Sequence, residues 1–237
     1  ILPVHIFGNP ADMDAIKEIS EEYSIPIIED AAEALGSWIK SNSKNIHCGL
    51  FGDFGIISFN GNKIITTGGG GILLTNDDKK ASLARHLSTT AKTTHKWDFY
   101  HDAVGWNDRM PNINAAIGVS QIEKINYLLK RKRKLFNIYS DKFSSIKEVE
   151  ILNSRKGSLS NNWLITLRFL IPNNNEAKEY SRELLFKAHK KGILLRPVWR
   201  LLHRLPMYIN SPKGNLENAE NQEYRLINLP SSPKLIE

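Results

Sequence analysis

The chain has 237 residues, 41% hydrophobic and 24% charged, the balance of an ordinary globular protein with room for one sizeable core or two domains. Its formal charge of +7 invites a nucleic-acid partner, but no RNA-recognition, zinc-finger or homeodomain pattern accompanies it. Its densest basic run, Lys130-Arg131-Lys132-Arg133-Lys134, lies in an amphipathic helical pattern, where such charges form a solvated face. Cys48 is the single cysteine, which excludes an internal disulfide framework and fits a reducing, cytoplasmic compartment. The seven histidines form no His-Glu-x-x-His or paired Cys/His array, so no metal is expected, and no apolar run of about 18 residues offers a membrane span.

In chain order, Leu2 to Phe7 reads as a strand running into a turn at Gly8. Asn9-Pro10-Ala11-Asp12 then starts a helix carrying Met13, Ile16, Ile19 and Tyr23 on one face, and Ile25 to Glu29 is a second strand. This βαβ rhythm predicts an α/β fold with a mostly parallel sheet, whose functional residues fall at the C-terminal ends of strands. Gly55 to Phe59 and Ile72 to Thr75 read as further strands, with Lys63 and the glycine run Gly68 to Gly71 between them. Apolar residues at three- and four-residue steps predict a long helix from about Asn112 to Tyr139. Beyond it the pattern changes to a strand over 162–169, an amphipathic helix over 176–190 and a strand over 193–196, which predicts a small α+β domain. The boundaries expected are 1–110 for the large-domain portion, 111–145 for a connecting helix and 146–237 for the small C-terminal domain.

A lysine in a turn is, taken alone, a solvated surface cation. Lys63 is joined, however, by a buried apolar strand that ends in acid, Ile27-Ile28-Glu29-Asp30. An amine for a Schiff base and a carboxylate for a pyridinium nitrogen are the two groups that pyridoxal phosphate chemistry requires. The glycine run is no phosphate loop of the Walker or Rossmann kind, because no Gly-Lys-Ser/Thr follows it and a strand succeeds it. Positive-φ turns and close backbone approach are its expected use.

Four blocks carry a resemblance. Glu29-Asp30-Ala31-Ala32-Glu33-Ala34-Leu35-Gly36-Ser37, Gly52 to Lys63 with Thr66 to Gly71, Gly105-Trp106-Asn107-Asp108-Arg109-Met110-Pro111 with the following Asn112 to Gly118, and Arg196-Pro197-Val198-Trp199 resemble the DegT/DnrJ/EryC1/StrS family of sugar aminotransferases across nearly the whole chain. Within it, Leu202 to Tyr208 and Asn228 to Ser232 are similar to the branch that aminates nucleotide-linked 4-keto-6-deoxy sugars, as in legionaminic acid and bacillosamine synthesis, with perosamine synthases as relatives.

The resemblance implies the pyridoxal phosphate aminotransferase fold of type I, here a partial large domain plus the small domain. It implies an enzyme that moves an amino group from glutamate to a nucleotide-linked keto sugar in cell-surface polysaccharide or nonulosonic acid synthesis, and a homodimer with shared active sites. It assigns Lys63 to the Schiff base and proton transfer, Asp30 to the pyridine nitrogen, Ala32 to the ring face and Glu33 to the ring hydroxyl, where many relatives carry glutamine. Ser58 is implied as a phosphate ligand, and Asn107 as the phosphate ligand that reaches the opposite subunit. Arg109 is expected to meet substrate phosphate or to pair at the interface. Arg196, Trp199 and His203 are expected either at the sugar-nucleotide entrance or in domain packing. Because Ile1 is no initiator methionine and the family's enzymes are longer, the chain reads as N-terminally truncated, and an inactive remnant or dimerisation fragment is the alternative to an active enzyme.

Overall fold

The computed structural model describes residues 1–41 and 43–236. It divides into two compact units, one of Ile1–Leu129 with Ser154–Trp163, the other of Lys130–Asn153 with Leu164 onward.

The first unit is built on helix α1 (Met13–Tyr23), strand β1 (Ile28–Asp30), the hairpin of β2 (Trp38–Ser41) and β3 (Lys44–His47), strands β4 (Phe54–Ser58) and β5 (Gly71–Leu74), and helices α2 (Asp78–Ser88) and α3 (Asn112–Ile122). β1 pairs in parallel with β4, Asp30 opposite Ile56, and β4 pairs antiparallel with β5, Ser58 opposite Gly71. Ahead of β1, the first residues run alongside it: the Ile28 and Asp30 N–H groups donate to the carbonyls of Ile1 and Pro3, and Val4 bridges Asp30 in parallel. The strand expected as far as Phe7 stops sooner, because Ile6–Gly8 is a 3-10 turn with Phe7 at φ 59°. Its cause is lateral: the Phe7 N–H is drawn onto the Glu33 carboxylate at 2.6 Å.

Alternation decides what β1 buries. Ile27, Glu29 and Ala31 point into a core shared with Met13, Ala34, Ile39, Cys48 and Ile57, while Ile28 faces out. Glu29 is therefore a carboxylate with no exposure at all. It survives there because every lone-pair direction is met: Oε1 accepts from the N–H groups of Phe51 (2.6 Å) and Gly52 (2.8 Å), and Oε2 from Gly49 N–H (2.7 Å) and His5 Nε2 (3.0 Å). His5 is fixed in turn, its Nδ1 accepting from the Ala11 N–H at 3.0 Å. Burial alone would raise the Glu29 pKa; His5 and the ring of N–H donors outweigh it and hold the carboxyl below its usual range. This cluster ties the chain start, the end of β1 and the loop entering β4.

The long helix expected from Asn112 is two helices, α3 and α4 (Ile125–Phe143), interrupted at Glu123 and Lys124. The second unit takes in α4 from Lys130, β6 (Val149–Ile151), β8 (Thr166–Phe169), α5 (Asn174–Lys190), β9 (Arg196–Pro197), the short α6 (Glu217–Gln222) and β10 (Leu226–Asn228); β7 (Ser158–Leu159) belongs to the first unit, paired with β2. Its sheet runs β6-β8-β10-β9, all antiparallel. Packing divides the chain at residues other than the expected 110 and 145, because Leu135 of α4 is buried in the second unit's core with Ile165, Leu167, Phe169, Ala188, Leu195, Ile227 and Leu229. From α4, three side chains grip the loop after β10: Arg131 Nε donates to Pro233 O (2.8 Å), Lys132 Nζ to Ser231 O (2.5 Å) and Tyr139 Oη to Pro230 O (3.0 Å). Lys132, expected on a solvated face, is only 4% exposed, and burial pushes its pKa down to about 7. Among the described residues no helix is long and apolar enough to cross a membrane, and no group of three or more His, Cys, Asp or Glu could hold a metal ion.

Candidate active site

Lys63 lies in the connection between β4 and β5, its own N–H bonded to the Asn60 carbonyl at 3.0 Å. That connection is held by its hydroxyls. Thr66 Oγ1 donates to Phe59 O (3.0 Å) and accepts from Gly68 N–H (2.9 Å), and Thr67 N–H donates to Phe59 O (3.0 Å). Asn114, in the first turn of α3, clamps the Thr67 carbonyl at 2.6 Å. The glycines work as expected. Gly68 and Gly70 sit at φ 83° and 91°, a left-handed region that a side chain resists. At Gly71 a Cβ would lie 2.5 Å from Ile57 O, so only glycine lets β5 start beside β4.

At the end of β1, Asp30 is half-buried and its Oδ1 accepts from the Ala32 N–H at 3.1 Å. That bond starts the turn that carries Ala32 and Glu33. The turn brings Glu33 to Lys63: Nζ lies 3.6 Å from Oε1, with the two side chains only 13% and 14% exposed. Glu33 Oε2 meanwhile accepts from Phe7 N–H. Burial raises the Glu33 pKa, and the Phe7 N–H and the Lys63 amine offset this only in part; the Asp30 charge nearby adds to the rise. The Glu33 carboxyl thus has its pKa raised, in contrast with that of Glu29 four residues before it. Ser58 sits half-buried at the end of β4, its Oγ accepting from Asn60 N–H at 3.2 Å.

One participant has no counterpart in the sequence-based expectations. Trp163 stacks its ring under the Lys63 amine, 4.1 Å from the centroid, and its indole N–H donates to Asn62 O at 2.6 Å. As the entry to a strand, Asn162-Trp163 carries no functional signal in the sequence.

Other expected residues lie elsewhere. Asn107 and Arg109 are exposed, on a segment bonded back to the end of α2: Trp106 N–H donates to Leu87 O and Asp108 N–H to Ser88 O. Arg109 lines a cleft of about 670 Å³ with Arg85, Lys92, Thr93 and His95. Arg196, Trp199 and His203 belong to the second unit. Arg196 is exposed and Trp199 is 48% exposed, while His203 Nε2 pairs with Glu220 Oε1 at 2.8 Å.

The residues gathered in the first unit fit pyridoxal phosphate by their chemistry. A shielded amine faces a carboxyl of raised pKa, a second carboxylate stands at a strand end, a hydroxyl ends the adjacent strand, and Gly61 and Gly69 have open space where side chains would project. Comparison with known proteins agrees. The model of the DegT/DnrJ/EryC1/StrS aminotransferase family matches residues 1–237. GDP-perosamine synthase of Escherichia coli O157:H7 is 36% identical over 235 residues, 99% of this chain and 61% of that protein. The aminotransferase TlmJ from Streptoalloteichus hindustanus superposes with a TM-score of 0.86 at 25% identity, covering 98% of this chain and 60% of the other. A Streptococcus pneumoniae protein solved in its PLP form shares the fold, with a TM-score of 0.84 at 22% identity over 99% of this chain and 63% of that one. The chain thus spans about three fifths of the length of such relatives. With the family model matched from end to end and the lysine, the acidic strand end and the glycine turn all in one unit, the chain belongs to the DegT/DnrJ/EryC1/StrS aminotransferase family.

Proposed function

We propose that this chain carries the catalytic lysine of a pyridoxal phosphate-dependent aminotransferase that places an amino group, taken from glutamate, on a nucleotide-linked 4-keto-6-deoxy sugar. The observation that carries the reading is the shielded Lys63 amine beside Glu33, one turn from Asp30. The GDP-perosamine synthases among the relatives support a nucleotide sugar as acceptor and a place in cell-surface polysaccharide synthesis.

Pyridoxal phosphate, the family's cofactor, supplies an electron sink when bound. Lys63 would hold the cofactor at its aldehyde carbon, and its amine would move a proton at the reacting carbon. Asp30 would keep the pyridine nitrogen protonated. Glu33, whose pKa burial raises, would hydrogen-bond the ring hydroxyl, at the position where many relatives carry glutamine. Ala32 would lie against the ring face, and Ser58 would donate to the phosphate. Asn107, exposed on its segment, would complete the phosphate site of a second subunit, so the working form would be a homodimer. Arg109 would meet substrate phosphate, and Arg196, Trp199 and His203 the sugar nucleotide.

The test is an absorbance spectrum of the purified chain with added pyridoxal phosphate, beside Lys63→Ala. A visible band that depends on Lys63 and shifts when glutamate is added is expected. Free-cofactor absorbance from both proteins would overturn the reading for this chain and leave an inactive remnant in its place.

A further inference from the structure

None of the roles above uses residues 160–163, yet this segment is bonded to both turns of the site. Asn161, 2% exposed, donates through Nδ2 to the carbonyls of Glu33 (2.7 Å) and Leu35 (2.9 Å), and its Oδ1 accepts from Trp163 N–H (2.8 Å). Asn162 holds the left-handed conformation, φ 53°, which turns Trp163 toward the Lys63 connection. Trp163 is itself 4% exposed, and its indole N–H fixes the Asn62 carbonyl, the residue before Lys63. The Lys63 amine ends on the ring face at 4.1 Å and on Glu33 Oε1 at 3.6 Å. A π face attracts an ammonium and gains little from a neutral amine, so the ring does more than fill space.

We propose that Trp163 is a positioning residue, whose ring holds the free end of Lys63, as an ammonium, against Glu33 whenever the lysine is not bonded to the cofactor. The inference rests on Lys63 being the reacting amine of the function proposed above. A lysine released during each turnover keeps four rotatable bonds, and a perch beside its carboxyl partner keeps it within reach of the next proton transfer instead of ranging into solvent.

The test compares Trp163→Phe, which keeps an aromatic face, with Trp163→Leu, which does not; both lose the bond to Asn62. Trace acetylation of the cofactor-free chain at neutral pH, read by peptide mass spectrometry, reports how far the Trp163 ring and Glu33 shield the Lys63 amine, relative to the exposed Lys187. Trp163→Leu is expected to raise Lys63 labelling about threefold to tenfold, and Trp163→Phe by less than half of that increase. Equal labelling of the two variants would show that the side chain only fills space and would overturn the proposal. If the leucine variant does not fold, ring-fluorinated tryptophan at 163, which keeps the shape and depletes the π face, takes its place: raised labelling supports the perch, and unchanged labelling overturns it. Since cofactor is absent from this assay, a failed absorbance test with Lys63→Ala would sink the aminotransferase reading without altering what the labelling says about Trp163.

Discussion

Replacing Glu29 by glutamine keeps its size and removes its charge, and the consequence can be worked out from four contacts. The carboxylate receives Phe51 and Gly52 N–H on one oxygen, Gly49 N–H and His5 on the other, in a site with no exposure. An amide has one acceptor oxygen, so whichever way it turns, its NH2 faces two buried donors. A buried donor left without a partner costs about 1–3 kcal/mol, so the pair would cost about 2–6 kcal/mol before the loop relaxes, and about 3 kcal/mol is the expected net loss. That is a large fraction of the roughly 5–15 kcal/mol that holds a domain folded. In urea unfolding followed by circular dichroism, the midpoint of the first unit's transition should fall by roughly 1 M or more. The pH dependence has a definite sign. The folded Glu29 pKa lies below its ordinary 4.5, so its stabilisation is present above that value and is lost as pH falls through the folded pKa. Wild type and Glu29→Gln should therefore converge in strongly acidic solution. A loss under about 0.5 kcal/mol at neutral pH, or a gap that persists undiminished below pH ~3, would refute the reasoning.

Two further outcomes follow from other contacts. Lys132, buried with its pKa lowered to about 7, is protonated in the unfolded chain but not in the folded one between that value and the usual 10.5. Stability of the second unit should accordingly rise with pH across this window, and Lys132→Met should flatten the rise by up to a few kcal/mol; parallel pH profiles of thermal melting in the two proteins would count against it. At Gly55 a Cβ would fall 2.1 Å from the Gly49 carbonyl oxygen, a backbone atom that cannot swing away. Gly55→Ala should cost about 3 kcal/mol or more, whereas Gly61→Ala, with nothing within 4 Å, should leave the melting temperature nearly unchanged; matching melts for the two would show that β4 tolerates the shift.

Much of the candidate site is legible in the chain because it depends on residue type at strand ends. The apolar run into Glu29-Asp30, the turn with Lys63 and the glycines ahead of β5 are each local signals, and the structure realises them with positive φ at Gly68 and Gly70 and Ser58 paired opposite Gly71. Helix α1 and helix α5 follow from periodicity in the same way. Local patterns fail where a distant partner decides the outcome. The first strand ends early because a carboxylate twenty-six residues on captures the Phe7 N–H. The basic run on α4 has the pattern of a solvated face, yet Lys132 is sunk against the carbonyl of Ser231, ninety-nine residues away. The hairpin β2–β3 leaves no mark in the sequence, its short strands lacking the β-branched alternation that signals a strand.

What the sequence settled by itself was the inventory: an amine, two neighbouring carboxyls, a hydroxyl and flexible glycines in an order that matches one family. Which carboxyl does what was decided only in three dimensions. Glu29 and Glu33 are the same residue type four positions apart, but the first is saturated by four donors and held ionised, while the second lies shielded beside Lys63 with its pKa raised. Trp163 likewise became part of the site only when folding set its ring 4.1 Å from an amine one hundred residues earlier in the chain. Burial and the count of available donors set a group's charge, and both are properties of the packed neighbourhood, which no run of adjacent residues encodes.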